Sequence, residues 1–143
     1  MRITTDLHSH HQRCGHAIGE MRDYIESARM QDATHFGVSD HGPAYWLWGD
    51  HAQPWVQMAY SELINYVTEA KQLQSKYAKK LSVLVGLEAD FIEGREDDLN
   101  RMLTAHDFDY VLGSVHYCGV DQNDGLVSIF NKSRWDDEDP EKT

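Results

Sequence analysis

The hydrophobic positions of this chain change their spacing several times, and each change marks a predicted element. Four short apolar runs are typical of buried strands, at residues 3–7, 35–39, 81–91 and 109–115. Three other segments carry apolar residues every three or four positions, as amphipathic helices do, at residues 20–31, 60–77 and from 96 onward. The resulting β-α-β-α-β-α-β order predicts an α/β protein with parallel strands and right-handed crossovers.

The clearest helical stripe lies in the segment 60–77. Its apolar residues are expected to pack in the core: Tyr60, Leu63, Ile64, Val67 and Ala70. The strand at 35–39 is separated from this helix by a loop that is rich in aromatic residues and extends through Trp55. No repeat and no linker divides the chain, so we expect residues 1–143 to belong to one domain.

Composition and charge narrow the classes of protein that fit this pattern. The chain has 143 residues, of which 41% are hydrophobic, so it can bury a core. Its formal net charge of −11 disfavours binding to nucleic acid or anionic membranes through a broad basic face. No stretch is apolar enough to span a bilayer or to serve as a signal peptide, so a soluble, cytoplasmic protein is expected.

Histidine and carboxylate residues cluster at the ends of the predicted strands. His8 and His10 follow the first strand two positions apart, so both rings lie on one face. The next three strands end at Asp40-His41, Glu88 and His116, and the ends of parallel strands meet on one side of a barrel. Imidazole and carboxylate together suit zinc, iron or manganese. A metal site is therefore predicted there, and exposed polar residues without a ligand are the alternative.

The two cysteines are too few for a disulfide framework. Cys14 lies in the histidine-rich stretch 11–16, which also contributes His16. We expect Cys14 to be a small buried thiol rather than a metal ligand, and we expect the same of Cys118.

Taken in order, these motifs resemble those of one family. His8-Ser9-His10, His16, Asp40-His41, Glu88 and Ser114-Val115-His116 follow one another as in the PHP (polymerase and histidinol phosphatase) family. The closer resemblance is to its histidinol-phosphatase branch, in the stretches Asp6-Leu7-His8-Ser9-His10, Arg13-Cys14-Gly15-His16, Gly37-Val38-Ser39-Asp40-His41, Gly86-Leu87-Glu88-Ala89-Asp90-Phe91 and Gly113-Ser114-Val115-His116-Tyr117. The resemblance covers essentially the whole chain.

The resemblance implies a fold and a metal centre. The fold would be the N-terminal part of a distorted (β/α)7 barrel, and the centre would hold two or three divalent metal ions. His8 and His10 would bind the first metal, and Glu88 would bridge it to a second metal that His116 also binds. His16 and His41 would serve a third. The resemblance also makes Asp40 and Arg13 candidate catalytic groups, with Asp40 either supporting the ligands or facing the substrate.

The implied activity is hydrolysis of a small phosphomonoester, most closely histidinol phosphate. Arg13 could clamp the phosphate, or it could be an ordinary solvated arginine. Trp46 could stack on the leaving group and Asp50 could pair with its ammonium group, whereas simple loop packing is the alternative for both. Another small phosphomonoester or a nucleic-acid end remains open as the substrate, although the charge disfavours nucleic acid.

Later ligands of the family pattern do not follow His116 in this sequence. A truncated, catalytically silent metal-binding fragment is therefore a further alternative. An incomplete barrel would leave a sheet edge uncovered, and self-association through that edge is expected. The acidic segment 135–143 contains Asp139-Pro140-Glu141, which predicts the start of another helix.

Overall fold

Four parallel strands form one sheet in the computed structural model of this protein, which describes residues 4–120 and 126–130. The strands are β1 (Thr5–Asp6), β2 (His35–Val38), β3 (Ser82–Asp90) and β4 (Tyr110–Ser114). They pair side by side in the order β1-β2-β3-β4, and every neighbouring pair is parallel. The predicted parallel α/β arrangement is confirmed, and each strand lies within its predicted run.

Three helices connect these strands, namely α1 (Met21–Met30), α2 (Leu63–Tyr77) and α3 (Glu96–Thr104). Short 3-10 helices at Gln12–Cys14 and Tyr60–Glu62 precede the first two. α1 begins with a capping box, in which the side chains of Glu20 and Asp23 each accept a hydrogen bond from the other residue's backbone N–H. The acidic first turn of α3 suits the positive end of the helix dipole.

A two-stranded antiparallel hairpin follows β4 and was not predicted. It consists of β5 (Tyr117–Val120) and β6 (Leu126–Ser128). The dipeptide Asp124-Gly125 is a hairpin signal that could have indicated it. The helix predicted at Asp139-Pro140-Glu141 lies outside the described residues.

The main core lies between α2 and β3. Alternate side chains of β3, including Val83, Val85 and Leu87, belong to the same buried cluster as one face of α2. The buried residues of α2 are Leu63, Tyr66, Val67, Ala70, Leu73 and Tyr77. The predicted stripe is wrong at Tyr60 and Ile64, which are exposed. Tyr60 precedes α2 in a 3-10 helix, and Ile64 is turned about 100° away from Leu63.

Tyr110 lies across two neighbouring strands of the sheet. A Cβ atom added to Gly86 would fall 2.3 Å from Tyr110 Cζ, and one added to Gly37 would fall 2.1 Å from its hydroxyl oxygen. The hydroxyl donates a hydrogen bond to the Leu7 carbonyl oxygen at 2.7 Å. One side chain of β4 therefore reaches the residue that follows β1, and two glycines leave room for it.

We expect Gly86→Ala to lower the free energy of unfolding by about 1–3 kcal/mol, because the added methyl group must displace the Tyr110 ring. Urea denaturation of the purified chain measures this change. Gly113→Ala on β4 is the matched control, since nothing lies within 4 Å of its added Cβ. Equal stability of the two variants would contradict the packing of Tyr110 over Gly86.

β4 is an outer strand of the sheet in the described part of the chain, and Val111 on it and Val115 just after it are exposed. Self-association through this edge stays a prediction.

Among the residues that the structure describes, no helix combines the length and apolar character that crossing a membrane requires.

Candidate metal centre

Three imidazole rings converge on one oxygen of the Glu88 carboxylate. Glu88 is only 3% exposed, and its Oε2 lies 2.9 Å from His8 Nε2. The same oxygen lies 3.2 Å from His10 Nε2 and 3.3 Å from His41 Nε2. The Nε2 atoms of His8 and His10 are themselves 3.2 Å apart. One buried carboxylate of β3 is thus shared among histidines from the ends of two other strands, β1 and β2.

Backbone contacts between the strand ends hold these rings in place. Ser9, between the first two histidines, donates its backbone N–H to Ser39 Oγ at 3.0 Å and its hydroxyl to the Gly37 carbonyl oxygen at 2.8 Å. His41 and Glu88 form an isolated parallel bridge beyond β2. The histidines after β1 and β2 are therefore fixed relative to Glu88 through the backbone.

The second oxygen of Glu88 faces β4. The Ser114 hydroxyl donates a hydrogen bond to Glu88 Oε1, and His116 Nε2 lies 3.7 Å from the same oxygen. The other ring nitrogen of His116, Nδ1, donates to Asp90 Oδ1 at 2.7 Å. Glu88 and Asp90 lie two positions apart on β3, so their side chains share one side of the sheet, and Ser114 and His116 have the same spacing at the end of β4.

His16 joins the group from the loop that follows β1. Its ring centroid lies 5.3 Å from that of His10 and 4.7 Å from that of His41. The loop turns at Gly15, which has a φ of 81°. A Cβ atom there would lie 2.9 Å from the Pro54 carbonyl oxygen, so only glycine suits both the turn and the close approach.

The structure brings all six predicted metal ligands together. Together with Cys14 they form three overlapping groups, and within each group the ligand atoms lie within 4.8 Å of one another: His8, His10 and Glu88; His41, Glu88 and His116; and His10, Cys14 and His16. The third group differs from the predicted pairing of His16 with His41. The assignment of each ligand to an individual metal stays a prediction.

Asp40 lies behind the ligands and is fully buried. Its Oδ1 accepts a hydrogen bond from the His11 backbone N–H at 2.7 Å, and its carboxylate also pairs with the His11 ring. The Cys14 thiol donates to Oδ1 at 3.5 Å. These contacts attach the histidine-rich loop to the end of β2. They favour the supporting role of Asp40 over the predicted role that faces the substrate.

The two cysteines differ in their surroundings. Cys14 is buried, as expected, and its Sγ lies 3.6 Å from His10 Nδ1. The prediction of a buried thiol is wrong for Cys118, which is exposed. Cys118 lies on β5, which pairs only with β6 in the described part of the chain.

Arg13 and Asp50 are engaged by α2 and by the short helix before it. Arg13 Nη2 donates to Glu69 Oε2 at 2.9 Å, and Arg13 Nε lies 3.6 Å from Glu62 Oε2. Asp50 accepts hydrogen bonds from the Ser61 backbone N–H and hydroxyl, both at 2.7 Å, and these bonds lower its pKa. The substrate-binding roles of Arg13 and Asp50 stay predictions.

Trp46 belongs to an aromatic group beside the centre. Its ring centroid lies 5.0 Å from that of Tyr45 and 5.4 Å from that of Tyr117. The Tyr45 hydroxyl donates to the backbone carbonyl oxygen of Asp90 at 2.8 Å, which links this group to the end of β3. The contact of Trp46 with a substrate stays a prediction.

The charge of the centre follows from burial and hydrogen bonding. Burial raises the pKa of Glu88, but hydrogen bonds from His10 and other neighbours outweigh it and hold the pKa below its usual range. Burial lowers the pKa of His41 to about 3 and also lowers that of His16. Hydrogen bonds with Cys14 and Glu88 raise the pKa of His10 to about 10. An ionised carboxylate thus stands beside two neutral imidazoles, whereas His10 must lose a proton to bind a metal.

The donor set fits a divalent metal. Imidazole nitrogens and one carboxylate are the ligands that zinc and related metals take. Nε2 atoms of three rings already face the same carboxylate oxygen, so a cation between them would meet converging lone pairs. A protein this acidic also provides a favourable long-range field for a cation.

Asp90 and Ser114 are site residues that the sequence reasoning missed. Each lies two positions from a predicted ligand, Glu88 and His116 respectively, and contacts the site. The alternation rule that paired His8 with His10 could have identified both. Burial raises the pKa of Asp90, and this effect outweighs the lowering effect of its hydrogen bond with His116.

Comparison with family models decides what kind of domain carries this centre. Residues 6–142 match the model of the PHP domain. The chain belongs to the PHP domain family. The resemblance inferred from the motifs is therefore confirmed, and the parallel sheet is the first part of the PHP barrel.

Individual relatives of this PHP domain carry phosphatase names. A probable histidinol-phosphatase from Deinococcus radiodurans is 40% identical over 115 residues, which are 80% of this chain and 43% of that protein. The structure of a putative histidinol phosphatase from Listeria monocytogenes matches with a TM-score of 0.71 and 25% identity, over 91% of this chain and 50% of that one. The chain thus spans half or less of the length of these relatives.

A second solved structure shares the fold. It is a histidinol phosphate phosphatase from Lactococcus lactis in complex with zinc, L-histidinol and phosphate, and it matches with a TM-score of 0.65 over 81% of this chain and 41% of that one. At 21% identity, this likeness shows the fold alone.

Proposed function

We propose that this PHP domain belongs to a metal-dependent histidinol-phosphate phosphatase, which converts L-histidinol phosphate and water into L-histidinol and phosphate in the cytoplasmic synthesis of histidine. The observation that carries the proposal is the buried Glu88 carboxylate, which lies among histidines that follow β1, β2 and β4. The named relatives support the choice of substrate, since the family membership by itself covers other phosphoesters.

The proposed centre holds two or three divalent ions of zinc, iron or manganese. His8 and His10 would hold the first ion, and Glu88 would be shared with a second ion that His116 also binds. His16 and His41 would hold a third. When bound, such ions lower the pKa of water and neutralise phosphate charge, so hydrolysis needs no protein nucleophile.

The protein's own groups position these ligands. Glu88 stays ionised at neutral pH because its pKa is held low, and it can therefore serve two cations at once. Asp40 and Cys14 hold the loop that carries His10 and His16. Trp46 and its aromatic neighbours would border the leaving group.

The test is to purify the chain without added metal, then to measure its metal content and its hydrolysis of histidinol phosphate on one sample. We expect two or more ions per chain after loading with zinc or manganese, and phosphate release that a chelator abolishes. Release from histidinol phosphate should exceed that from other small phosphomonoesters. A folded sample that binds little metal and releases no phosphate would overturn the proposal and favour a silent fragment.

A further inference from the structure

Asp90 is a buried carboxylate held by several donors. It is 4% exposed and follows Glu88 by two residues on β3. Its Oδ1 accepts a hydrogen bond from His116 Nδ1 at 2.7 Å, and its Oδ2 accepts one from Gln57 Nε2 at 2.8 Å. The Tyr45 hydroxyl also fixes the Asp90 backbone carbonyl at 2.8 Å. This carboxylate has little freedom to turn away from the histidine.

The bond to Asp90 determines which nitrogen of His116 is free. With its proton on Nδ1, the ring presents an unprotonated Nε2, which is the atom 3.7 Å from Glu88 Oε1. His41 differs in this respect, because its Nε2 faces Glu88 Oε2 but its Nδ1 lies 4.0 Å from Asp90 Oδ2, beyond hydrogen-bond distance. In the described part of the chain, His41 Nδ1 is buried and has no hydrogen-bond partner.

We propose that Asp90 is a positioning residue that orients His116, so that its ring presents Nε2 to a cation bound beside Glu88. A ligand histidine usually donates its second N–H to such an acceptor, which fixes both the tautomer and the direction of the ring. The role in metal binding rests on the proposed function, whereas the tautomer of His116 is a property of the metal-free chain.

The first test is the tautomer of His116, read from long-range ¹H–¹⁵N correlations of the metal-free chain at about pH 8, where an ordinary histidine is neutral. We expect the proton on Nδ1 in the unmodified chain and a shift toward Nε2 in Asp90→Ala. Asp109→Ala is the matched control, since Asp109 also accepts several hydrogen bonds, from Val85 N–H, Gln74 and Lys71. This control should leave the tautomer unchanged. A proton on Nε2 in the unmodified chain, or no shift in Asp90→Ala, would overturn the proposal.

The second test is the affinity for zinc, measured by competition with a chromophoric chelator. We expect Asp90→Ala to weaken one bound ion by about 10–100-fold and to spare the ion held by His8 and His10. Asp90→Asn keeps an acceptor oxygen and should recover the tautomer and part of the affinity. Affinities equal to those of Asp109→Ala would overturn the metal-binding role. A chain that binds no zinc would refute the proposed function, while the tautomer would still decide whether Asp90 orients His116.

Discussion

Replacing Glu88 by glutamine is expected to reduce phosphate release by about three orders of magnitude at saturating metal. Glutamine keeps the size of the side chain but removes its negative charge. The rings of four histidines lie beside that charge, namely His8, His10, His41 and His116. A bound cation stabilises the transition state of phosphoryl transfer by several kcal/mol, and each loss of about 1.4 kcal/mol lowers the rate by about a factor of ten. Metal content should fall together with activity, because one carboxylate serves two of the three ligand groups.

Glu93→Gln is the control for the loss of one negative charge, since Glu93 is exposed on the loop after β3. It should bind the same number of ions as the unmodified chain. Glu88→Gln with near-normal phosphatase activity and full metal content would contradict the bridging role.

Asp40→Ala is expected to lower the free energy of unfolding by about 3 kcal/mol, because it leaves the buried His11 ring and backbone N–H without their partner. Urea denaturation of the metal-free chain measures this loss. The histidine-rich loop should also lose its attachment, so that His10 and His16 bind metal less tightly.

Asp40→Asn separates the two roles predicted for this residue. It keeps an acceptor for the His11 N–H, so we expect it to recover part of the stability that Asp40→Ala loses. Asp97→Ala, in the exposed first turn of α3, is the control for removing a surface carboxylate. If Asp40→Ala abolished activity without any loss of stability, the role facing the substrate would be favoured instead.

The elements and the ligand cluster were predictable because both depend on local patterns. A strand or helix keeps its period wherever it lies in the chain, so β2 and β3 fall within one or two residues of the predicted runs. The ligands His8, His10, His41 and His116 follow strand ends and Glu88 lies near the end of β3, and parallel strands bring those ends to one place.

The directions of long side chains were not predictable in the same way. Arg13 stands three residues from His10 and His16 in the sequence, yet its guanidinium pairs with Glu69, which is 56 residues away. Ile64 fits a helical stripe, but it is exposed and does not lie on the face of α2 that packs against β3. The direction of such a side chain depends on neighbours that are distant in the chain.

The sequence by itself determined the α/β order, the parallel strands and the six candidate ligands, because periodicity and strand-end position are local properties of the chain. Only the tertiary structure decided how those ligands share the two oxygens of Glu88, that Asp40 faces His11 and that Asp90 holds His116. These contacts join residues 26 or more positions apart, and packing alone selects among the partners that each buried group could take.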